Sequence, residues 1–323
     1  MHATVIGGGI SGVACANVLA LSGQTTHLRD RGHRLGGRMA SRTLHDTGTD
    51  FDGRAVDIGA SYFTARDPAF VAEVDRWVAA GVVQPWTTSF HVADPSGIQG
   101  VTTGPMRYSA PRGLRTVVES MVSTEVTVTH LDDVASVDVV NGVAHVDDVP
   151  SAATALCMPM PQAQRLYSGA PSSEITWEPV IAVTCVFAER TWMDFDGVFV
   201  NDDVVLTWIA DDGRRRGDQA PVLVLHVNPV LAAGHLADPS AVVPQAVASL
   251  RRLLRIEEYP QWVDAHRWTF AKPLAAHVDP FWMSADAPLG VAGDMWSDGP
   301  RVEAAWLSGT ALGEALAARM VGA

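Results

Sequence analysis

The chain has 323 residues, of which 47% are hydrophobic, so about two domains with buried cores are expected. Its formal net charge of −13 argues against nonspecific binding to nucleic acid or to an anionic membrane. No apolar run reaches the length of a transmembrane helix, and the N-terminus enters a predicted strand without a signal-peptide pattern. Cys15, Cys157 and Cys185 lie in apolar segments, which indicates reduced thiols of a cytoplasmic protein. No spacing of cysteine and histidine predicts a metal site.

The first forty residues follow the order of strand, glycine-rich turn, helix and strand that a dinucleotide-binding site requires. A short β-branched run leads into the sequence GGGISG, and an apolar helical segment follows it. Gly7 permits the tight turn, Gly9 lets the backbone approach a pyrophosphate, and Gly12 lets the helix pack closely on the strand. Asp30 follows Gly12 by 18 residues, near the distance at which an acidic residue binds ribose hydroxyls. The spacing therefore predicts a Rossmann-type site, with phosphate at the helix N-terminus.

A second glycine motif, Gly36-Gly37-Arg38-Met39, follows Asp30 after five residues. It resembles the second fingerprint of FAD-binding, amine-oxidase-like flavoproteins, which a plain NAD dehydrogenase does not carry. The two glycines let the loop pass beside a cofactor, and Arg38 can bind a phosphate through two parallel hydrogen bonds. We therefore predict FAD, bound without a covalent link because the sequence contains no recognisable flavin-linkage motif.

Local signals place several shorter elements after these motifs. Asp67 is the expected N-cap of a helix that Pro68 opens. Residues 85–105 are rich in Pro, Gly and Thr and predict short strands or loops. Asn141-Gly142 joins two short β-branched runs, which indicates a hairpin with a type I′ turn.

The middle of the chain changes to short strand-like runs separated by polar turns, a spacing that favours a largely antiparallel sheet. We interpret this block as a substrate domain that interrupts an FAD-binding domain. The predicted fold class is α/β, a Rossmann-like FAD-binding domain with an inserted, largely antiparallel-sheet substrate domain. The FAD-binding domain is assigned to residues 1–64, 105–166 and 285–323, and the substrate domain to residues 65–104 and 167–284.

The C-terminal region returns to cofactor chemistry. A predicted strand ends in Gly293-Asp294, and a long apolar helix follows from about Val302. In related flavoproteins such an acid meets the ribityl and phosphate region, and the helix N-terminus points at the flavin pyrimidine. The helix dipole then stabilises the negative charge of reduced flavin. The plainer alternative is a capping acid followed by a packing helix.

Four further segments, together with GGGISG and GGRM, resemble bacterial members of the renalase family in matching order along nearly the whole chain. They are DIGASYFTARDPAF, CMPMPQA, AHRWTFAKPLAAH and GDMWSDGPRVEAAWLSG. The resemblance implies a two-domain fold of p-hydroxybenzoate-hydroxylase type. It also implies oxidation of the 2- and 6-dihydro isomers of NAD(P), with hydride transfer to flavin N5 and reoxidation by O2 to H2O2. The chain departs from the family at Ser61, where members carry Gln.

The same resemblance assigns the cofactor contacts, motif by motif. The N-terminal motifs supply Gly7, Gly9, Ile10, Ser11, Gly12, Asp30, Arg31, Gly37, Arg38 and Met39. The segment near the isoalloxazine supplies Gly59, Ala60 and Ser61, and the backbone of Val126 meets the adenine. The C-terminal motif supplies Gly293, Asp294, Val302, Glu303 and Ala305.

A substrate pocket is expected between the flavin and the middle sheet. Tyr62, His226 and Trp268 are its predicted catalytic residues, and Trp208 and Asn228 are predicted to bind the substrate. His226 and Asn228 alternate along one predicted strand, so they share a face on which they can hydrogen-bond a carboxamide. For each of these residues, a place in the protein core is the alternative.

Arg214, Arg215 and Arg216 form a run of positive charge on a predicted hairpin. Such a run is usually a solvated turn. Because the protein is acidic overall, the alternative is a local rim that binds the pyrophosphate of a dinucleotide substrate.

Three functions remain open at this point. The first is a renalase-like, FAD-dependent oxidoreductase, an oxidase whose partners are a dihydronicotinamide dinucleotide and O2. The second is an amine oxidase or desaturase of the wider superfamily, with Tyr62, Trp208 and Trp268 as an aromatic cage for a neutral amine. The third is a flavoprotein without catalytic function. The sequence contains no nucleophile elbow, which fits direct hydride transfer, because a dihydropyridine that loses hydride needs no general base.

Overall fold

The computed structural model describes residues 2–172, 174–297 and 299–321. The helices are α1 (Ile10–Leu21), α2 (Pro68–Ala79), α3 (Arg115–Met121), α4 (Met160–Leu166), α5 (Asp212–Arg216), α6 (Pro229–Ala233), α7 (Val243–Leu254) and α8 (Val302–Val321). The strands are β1 (Ala3–Ile6), β2 (Thr26–Arg29), β3 (Ser41–Thr43), β4 (Ala55–Asp57), β5 (Gln84–Asp94), β6 (Gly97–Ser109), β7 (Val126–Thr129), β8 (Val137–Val140), β9 (Val143–Val146), β10 (Val149–Ser151), β11 (Ala153–Cys157), β12 (Trp177–Val186), β13 (Gly197–Val200), β14 (Leu206–Asp211), β15 (Val222–Val227), β16 (Trp262–Pro273), β17 (Trp282–Met283) and β18 (Leu289–Ala292). The predicted domain limits at residues 1 and 323 lie outside the described residues.

The strand that precedes the glycine-rich turn, β1, lies inside a six-stranded sheet with the order β17-β18-β11-β1-β2-β7. The pairs from β18 to β7 are parallel, and β17 joins β18 antiparallel. α1 connects β1 to β2 and packs closely against the C-terminal helix α8. A Cβ atom on Gly309 would collide with the backbone carbonyl of Ser11, so this glycine permits the close crossing of the two helices.

A second sheet, seven-stranded within the described residues, has the order β16-β12-β15-β14-β13-β5-β6. The described strand pairs are antiparallel except β13 with β5. One face of this sheet packs on α7, where Leu250 and Leu253 share a buried core with Ile181, Val183 and Leu225. The alternate residues of the same strands point to the other face, which carries the candidate site. The predicted α/β fold with an inserted, largely antiparallel sheet is confirmed.

The hairpin of β5 and β6 differs from its prediction. The segment expected to form short strands or loops forms two long strands of 11 and 13 residues. β5 also pairs with β13, and this two-sided pairing outweighs the low strand propensity of Pro, Gly and Thr. The β5–β6 register shifts between Pro85 and Thr87, and again between Thr87 and Ser89. Such irregularities bend a strand and redirect its side chains.

Two local predictions are confirmed. Asp67 accepts hydrogen bonds from the first N–H groups of α2 and caps this helix. Asn141 and Gly142 both have positive φ values, 51° and 79°, as a type I′ turn requires. α2 packs through Phe70 and Trp77 into the core around the six-stranded sheet, although its residues were assigned to the substrate domain. The division into two domains therefore stays a prediction.

All three cysteines are buried and unpaired by disulfides. A hydrogen bond to Cys157, together with burial, raises the pKa of Cys15 well above its ordinary value. No helix in the described ranges combines the length and the apolar character needed to cross a membrane.

Candidate active site

The glycine-rich turn lies at the carboxyl end of β1, directly before α1. Gly9 is the N-cap residue of α1, and no side chain caps this helix, so its first N–H groups are available to an anion. A Cβ atom on Gly12 would collide with the carbonyl oxygen of Gly7, so close packing at this turn requires glycine. The hydroxyl of Ser11 is buried and has no hydrogen-bond partner among the described residues. A buried hydroxyl beside free helix N–H groups fits a phosphate oxygen.

Asp30 and the second glycine motif close around this turn. The carboxylate of Asp30 accepts hydrogen bonds from the N–H groups of Gly8 at 2.5 Å and Gly32 at 2.7 Å. The N–H of Gly36 donates to the carbonyl oxygen of Gly8 at 2.8 Å. Two motifs recognised in separate segments of the sequence therefore form one site at the carboxyl end of β1.

Four other predicted cofactor residues lie around the same sheet. Arg31 is exposed just after β2, and Val126 is buried at the start of β7, which pairs with β2. Ile10 and Met39 are buried in the core around the sheet, so their side chains pack there. Any contact of these two residues with a cofactor would be made through the backbone.

Arg38 and Asp294, both predicted to bind FAD, bind each other. The guanidinium of Arg38 donates to the two carboxylate oxygens of Asp294 at 2.7 Å and 2.5 Å. Glu303, in the first turn of α8, accepts hydrogen bonds from the N–H groups of Arg66 and Asp67 at 2.6 Å and 2.7 Å. These charged side chains hold the protein around the site together, and their predicted contacts with a cofactor stay proposals.

Two predicted catalytic residues, His226 and Trp268, and the predicted substrate-binding Trp208 lie on one face of the seven-stranded sheet. The strand register aligns His266, Ala182, His226 and Trp208 in one row across β16, β12, β15 and β14. Trp268 lies two residues beyond His266, on the same face of β16. The structure therefore brings together three of the residues that the sequence assigned to the substrate pocket.

These side chains fix the backbone of the segment predicted to lie beside the isoalloxazine. The indole N–H of Trp208 donates to the hydroxyl of Ser61 at 3.0 Å, and that of Trp268 donates to the carbonyl of Ile58 at 2.6 Å. The guanidinium of Arg215 donates to the carbonyl of Ser61 at 2.7 Å. Both tryptophans thus act as positioning residues for this segment, because their N–H groups are already bound to it.

His226 is neutral at pH 7. Burial, followed by the positive charge of Arg215, lowers its pKa to about 4, and a hydrogen bond to the backbone of Gly59 opposes the shift. Its Nε2 atom is buried and has no hydrogen-bond partner among the residues that the structure describes. The imidazole can exchange one hydrogen bond, but it carries no positive charge at this pH.

Tyr62 belongs to an aromatic cluster that walls the site. Its ring centroid lies 6.3 Å from Trp86, 5.2 Å from Phe90 and 5.8 Å from Trp208. Burial raises the pKa of Tyr62, and the positive charge and hydrogen bond of Arg107 oppose this shift. The phenol is therefore protonated at neutral pH, and its ring offers a flat apolar surface.

An open cleft of about 390 Å³ separates Tyr62 from the start of α8. Its lining residues are Ala60, Tyr62, Phe63, Thr64, Arg66, Pro105, Arg107, Pro300, Arg301 and Val302. Three of these residues are arginines and none is acidic, in a chain whose net charge is −13. Sequence reasoning missed Arg107, which lies two residues beyond the Pro-, Gly- and Thr-rich segment 85–105 and in no motif of the sequence.

For Arg215 and Arg216 both expectations, a solvated turn and a pyrophosphate-binding rim, are wrong, because both side chains are buried. The run forms α5, in which Arg215 is fully buried and pairs with Asp212. Arg216 donates to Asp212 at 2.9 Å and to Asp57 at 3.0 Å. Burial would raise the pKa of Asp212, but the neighbouring arginine charges hold it well below its ordinary value. One carboxylate within the same helix and one that is remote in sequence therefore neutralise this charge inside the protein.

Asn228 and Arg214 also have protein partners. The amide of Asn228 accepts a hydrogen bond from the N–H of Val230 at 3.0 Å and donates to the carbonyl of Asp203 at 3.2 Å. It caps α6, so its amide groups are already bound within the protein, and its role with a carboxamide stays a prediction. The Nε atom of Arg214 donates to Asp196 at 3.2 Å.

Residues 5–77 match the family model of the NAD(P)-binding Rossmann-like domain. A stretch of 98 residues is 33% identical to (S)-6-hydroxynicotine oxidase of Paenarthrobacter nicotinovorans. This match covers 30% of the present chain and 22% of that relative.

Several solved structures share the fold over nearly the whole chain. A protein assigned as a protoporphyrinogen oxidase from Exiguobacterium sp. 255-15 has a TM-score of 0.77 at 14% identity, with 98% of both chains covered. A triple mutant of putrescine oxidase has a TM-score of 0.74 at 15% identity, with 98% of this chain and 99% of that chain covered. Cyclohexylamine oxidase from Brevibacterium oxydans IH-35A has a TM-score of 0.73 at 11% identity, with 99% of both chains covered. These likenesses confirm the predicted fold.

Proposed function

We propose that the chain is an amine-oxidase-like, FAD-dependent oxidoreductase that oxidises isomeric dihydronicotinamides of renalase type, a proposal that its fold and its Rossmann motif support. The composition of the cleft beside Tyr62 carries this proposal. Arginine and aromatic side chains line the cleft, and no acidic residue of the described chain does. Such a cleft attracts an anionic nucleotide and repels a protonated amine.

The Rossmann site fits FAD as the non-covalent cofactor. The N–H groups of the first turn of α1 and the buried hydroxyl of Ser11 would hold the pyrophosphate, and Asp30 would meet the ribose. When bound, FAD supplies the hydride acceptor. Acid denaturation and centrifugation should leave the flavin in the supernatant, and a yellow pellet would contradict non-covalent binding.

The protein's own residues would position the reactants. Trp268 and Arg215 hold the backbone of the Ile58–Ser61 segment, and Trp208 holds the side chain of Ser61. A dihydropyridine becomes aromatic when it loses hydride and releases no further proton, so no side chain has to act as a base. The neutral imidazole of His226 is compatible with that chemistry, since hydride transfer does not require it to gain or lose a proton.

Oxidation of an amine is the second candidate. The aromatic cluster of Tyr62, Trp86, Phe90 and Trp208 favours it, because aromatic faces can accept an amine group. The names of two proteins that share the fold, putrescine oxidase and cyclohexylamine oxidase, refer to amines. Against this candidate, the nearby arginines require that the amine enters uncharged.

Anaerobic stopped-flow absorbance distinguishes the two candidates. The oxidised holoenzyme is mixed with 2-dihydro-NAD(P), 6-dihydro-NAD(P), ordinary NADPH as the regiochemical control, and a panel of amines. We expect fast bleaching of the flavin by the 2- and 6-dihydro isomers, followed by H2O2 formation when air is admitted. Bleaching by amines alone would replace the proposal with the second candidate. Absence of bleaching by every donor would overturn both.

A further inference from the structure

Arg107 is a buried cation whose hydrogen bonds are incomplete. The residue is only 6% exposed, and its Nη1 atom is buried without a hydrogen-bond partner among the described residues. Its guanidinium carbon lies 4.0 Å from the ring centroid of Phe90 and 5.8 Å from that of Tyr62. A buried charged donor without a partner is costly, so its retention beside a cleft indicates a ligand.

The backbone of β6 directs this side chain into the cleft. Arg107 pairs with Thr87, and the β5–β6 register shifts on both sides of that pair. Such irregularities recur next to active sites, where they aim a side chain. Gly104 makes room for the guanidinium, because a Cβ atom at this position would lie 3.0 Å from Nη2 of Arg107.

No described acidic residue lines the cleft that contains Arg107. Arg66 and Arg301 also line it. Two acidic residues, Asp67 and Glu303, line a neighbouring cavity. Asp67 is engaged in capping α2, and Glu303 binds the backbone N–H groups at 66 and 67. Neither carboxylate is therefore aimed at Arg107.

We propose that Arg107 binds the oxyanion group, a carboxylate or a phosphate, of a planar donor that enters this cleft. Phe90 covers one face of the guanidinium, so the remaining N–H groups at its edge are suited to a bidentate oxyanion. The aromatic wall of Tyr62 then packs against the planar part of the same molecule. This inference rests on the proposed function, because the donor it describes is the one that would be oxidised there.

The inference is tested by equilibrium titration of the oxidised holoenzyme with benzoate, phenyl phosphate and neutral benzamide, read by tryptophan fluorescence and flavin absorbance. Wild type should bind one or both anions about 10- to 100-fold more tightly than benzamide. Comparison of benzoate with phenyl phosphate identifies which oxyanion the site takes. Arg107→Met should abolish the preference, and Arg107→Lys should retain part of it. The matched control is Arg76→Gln, which removes a charge from a side chain that is 73% exposed, and it should keep the wild-type preference.

Equal binding of anions and benzamide by wild type would overturn the inference, as would an unchanged preference in Arg107→Met. Loss of FAD in Arg107→Met, with the anion preference intact after the cofactor is restored, would assign Arg107 to the cofactor instead. If Arg107→Met does not fold, Arg107→Lys provides the test. Unchanged affinities of Arg107→Lys for benzoate and phenyl phosphate, at full FAD content, would overturn the inference.

The titration and the stopped-flow measurement together separate this inference from the proposed function. An anion preference that depends on Arg107, with no bleaching by dihydronicotinamides, leaves the oxyanion site intact and rejects the proposed reaction. Bleaching by dihydronicotinamides without any anion preference supports the proposed reaction and overturns the oxyanion site.

Discussion

Two groups of buried arginines lie next to the segment that ends at Tyr62, and they differ in their partners. Arg215 and Arg216 are neutralised by Asp57 and Asp212 within the protein. Arg107 lies against aromatic rings and lines a cleft to which the described residues contribute no acidic side chain. The comparison teaches that burial alone does not assign a role to a charged side chain. The paired group joins α5 to β4, whereas Arg107 keeps a buried N–H that no described residue binds.

The largest expected effect comes from breaking the paired group. Asp212→Asn should lower the free energy of unfolding by about 3–5 kcal/mol, because buried arginines lose the carboxylate that neutralises them. Urea unfolding with excess FAD measures this loss. The control is Glu119→Gln, which breaks the more exposed pair with Arg34 and should cost about 1 kcal/mol or less. A loss in Asp212→Asn no larger than in the control would contradict a structural role for the group.

The next effect concerns His226, whose pKa is lowered by burial and by Arg215. The unfolded imidazole titrates near its ordinary value of 6.5 and the folded one at about 4, so the unfolded chain binds more protons between these values. Stability should therefore fall as pH falls from 6.5 to 4, by at most about 3 kcal/mol from this group. His226→Gln should flatten that slope, measured by urea unfolding at several pH values. The control is His130→Gln, at an exposed position, which should leave the slope unchanged. A wild-type slope in His226→Gln would contradict the lowered pKa of His226.

A smaller effect tests how the sheet holds the candidate flavin segment. Trp208→Phe and Ser61→Ala each remove the hydrogen bond between these two residues. A double-mutant cycle of unfolding free energies should give a coupling of about 1 kcal/mol. Additive losses would show that the indole stabilises the protein through packing alone.

The smallest expected effect on stability belongs to Arg107. Arg107→Met should change the free energy of unfolding by less than about 1 kcal/mol, or raise it, since it removes a buried charge whose hydrogen bonds are incomplete. The same urea series as for Asp212→Asn provides the comparison. A loss as large as that in Asp212→Asn would place Arg107 with the structural arginines.

Local sequence signals predicted the cofactor half of the molecule because its geometry depends on nearby residues. GGGISG and Asp30 specify the turn and its distance to the second strand, and Asp67 and Asn141-Gly142 act within a few residues. The structure joins the N-terminal motifs through hydrogen bonds of Gly8 to Asp30 and Gly36, which their shared sheet edge explains.

The arginines could not be assigned in this way, because their roles depend on residues that are distant in sequence. From sequence alone the run at 214–216 indicates a solvated turn, because Asp57, which binds Arg216, lies more than 150 positions earlier. Arg107 lies in a segment without periodic hydrophobicity, and its direction depends on pairing with Thr87 between two register shifts. Both cases need the three-dimensional pairing of strands before the chemistry can be read.

The claim that the cleft selects an anionic hydride donor is tested most directly by single-turnover anaerobic reduction of the holoenzyme. The donors are the 6-dihydro isomer of nicotinamide mononucleotide and its dephosphorylated riboside, each with wild type and Arg107→Met. The account predicts similar limiting rates of flavin bleaching for both donors, with an apparent Kd about tenfold or more lower for the mononucleotide in wild type only. Equal apparent Kd values for the two donors in wild type would contradict it.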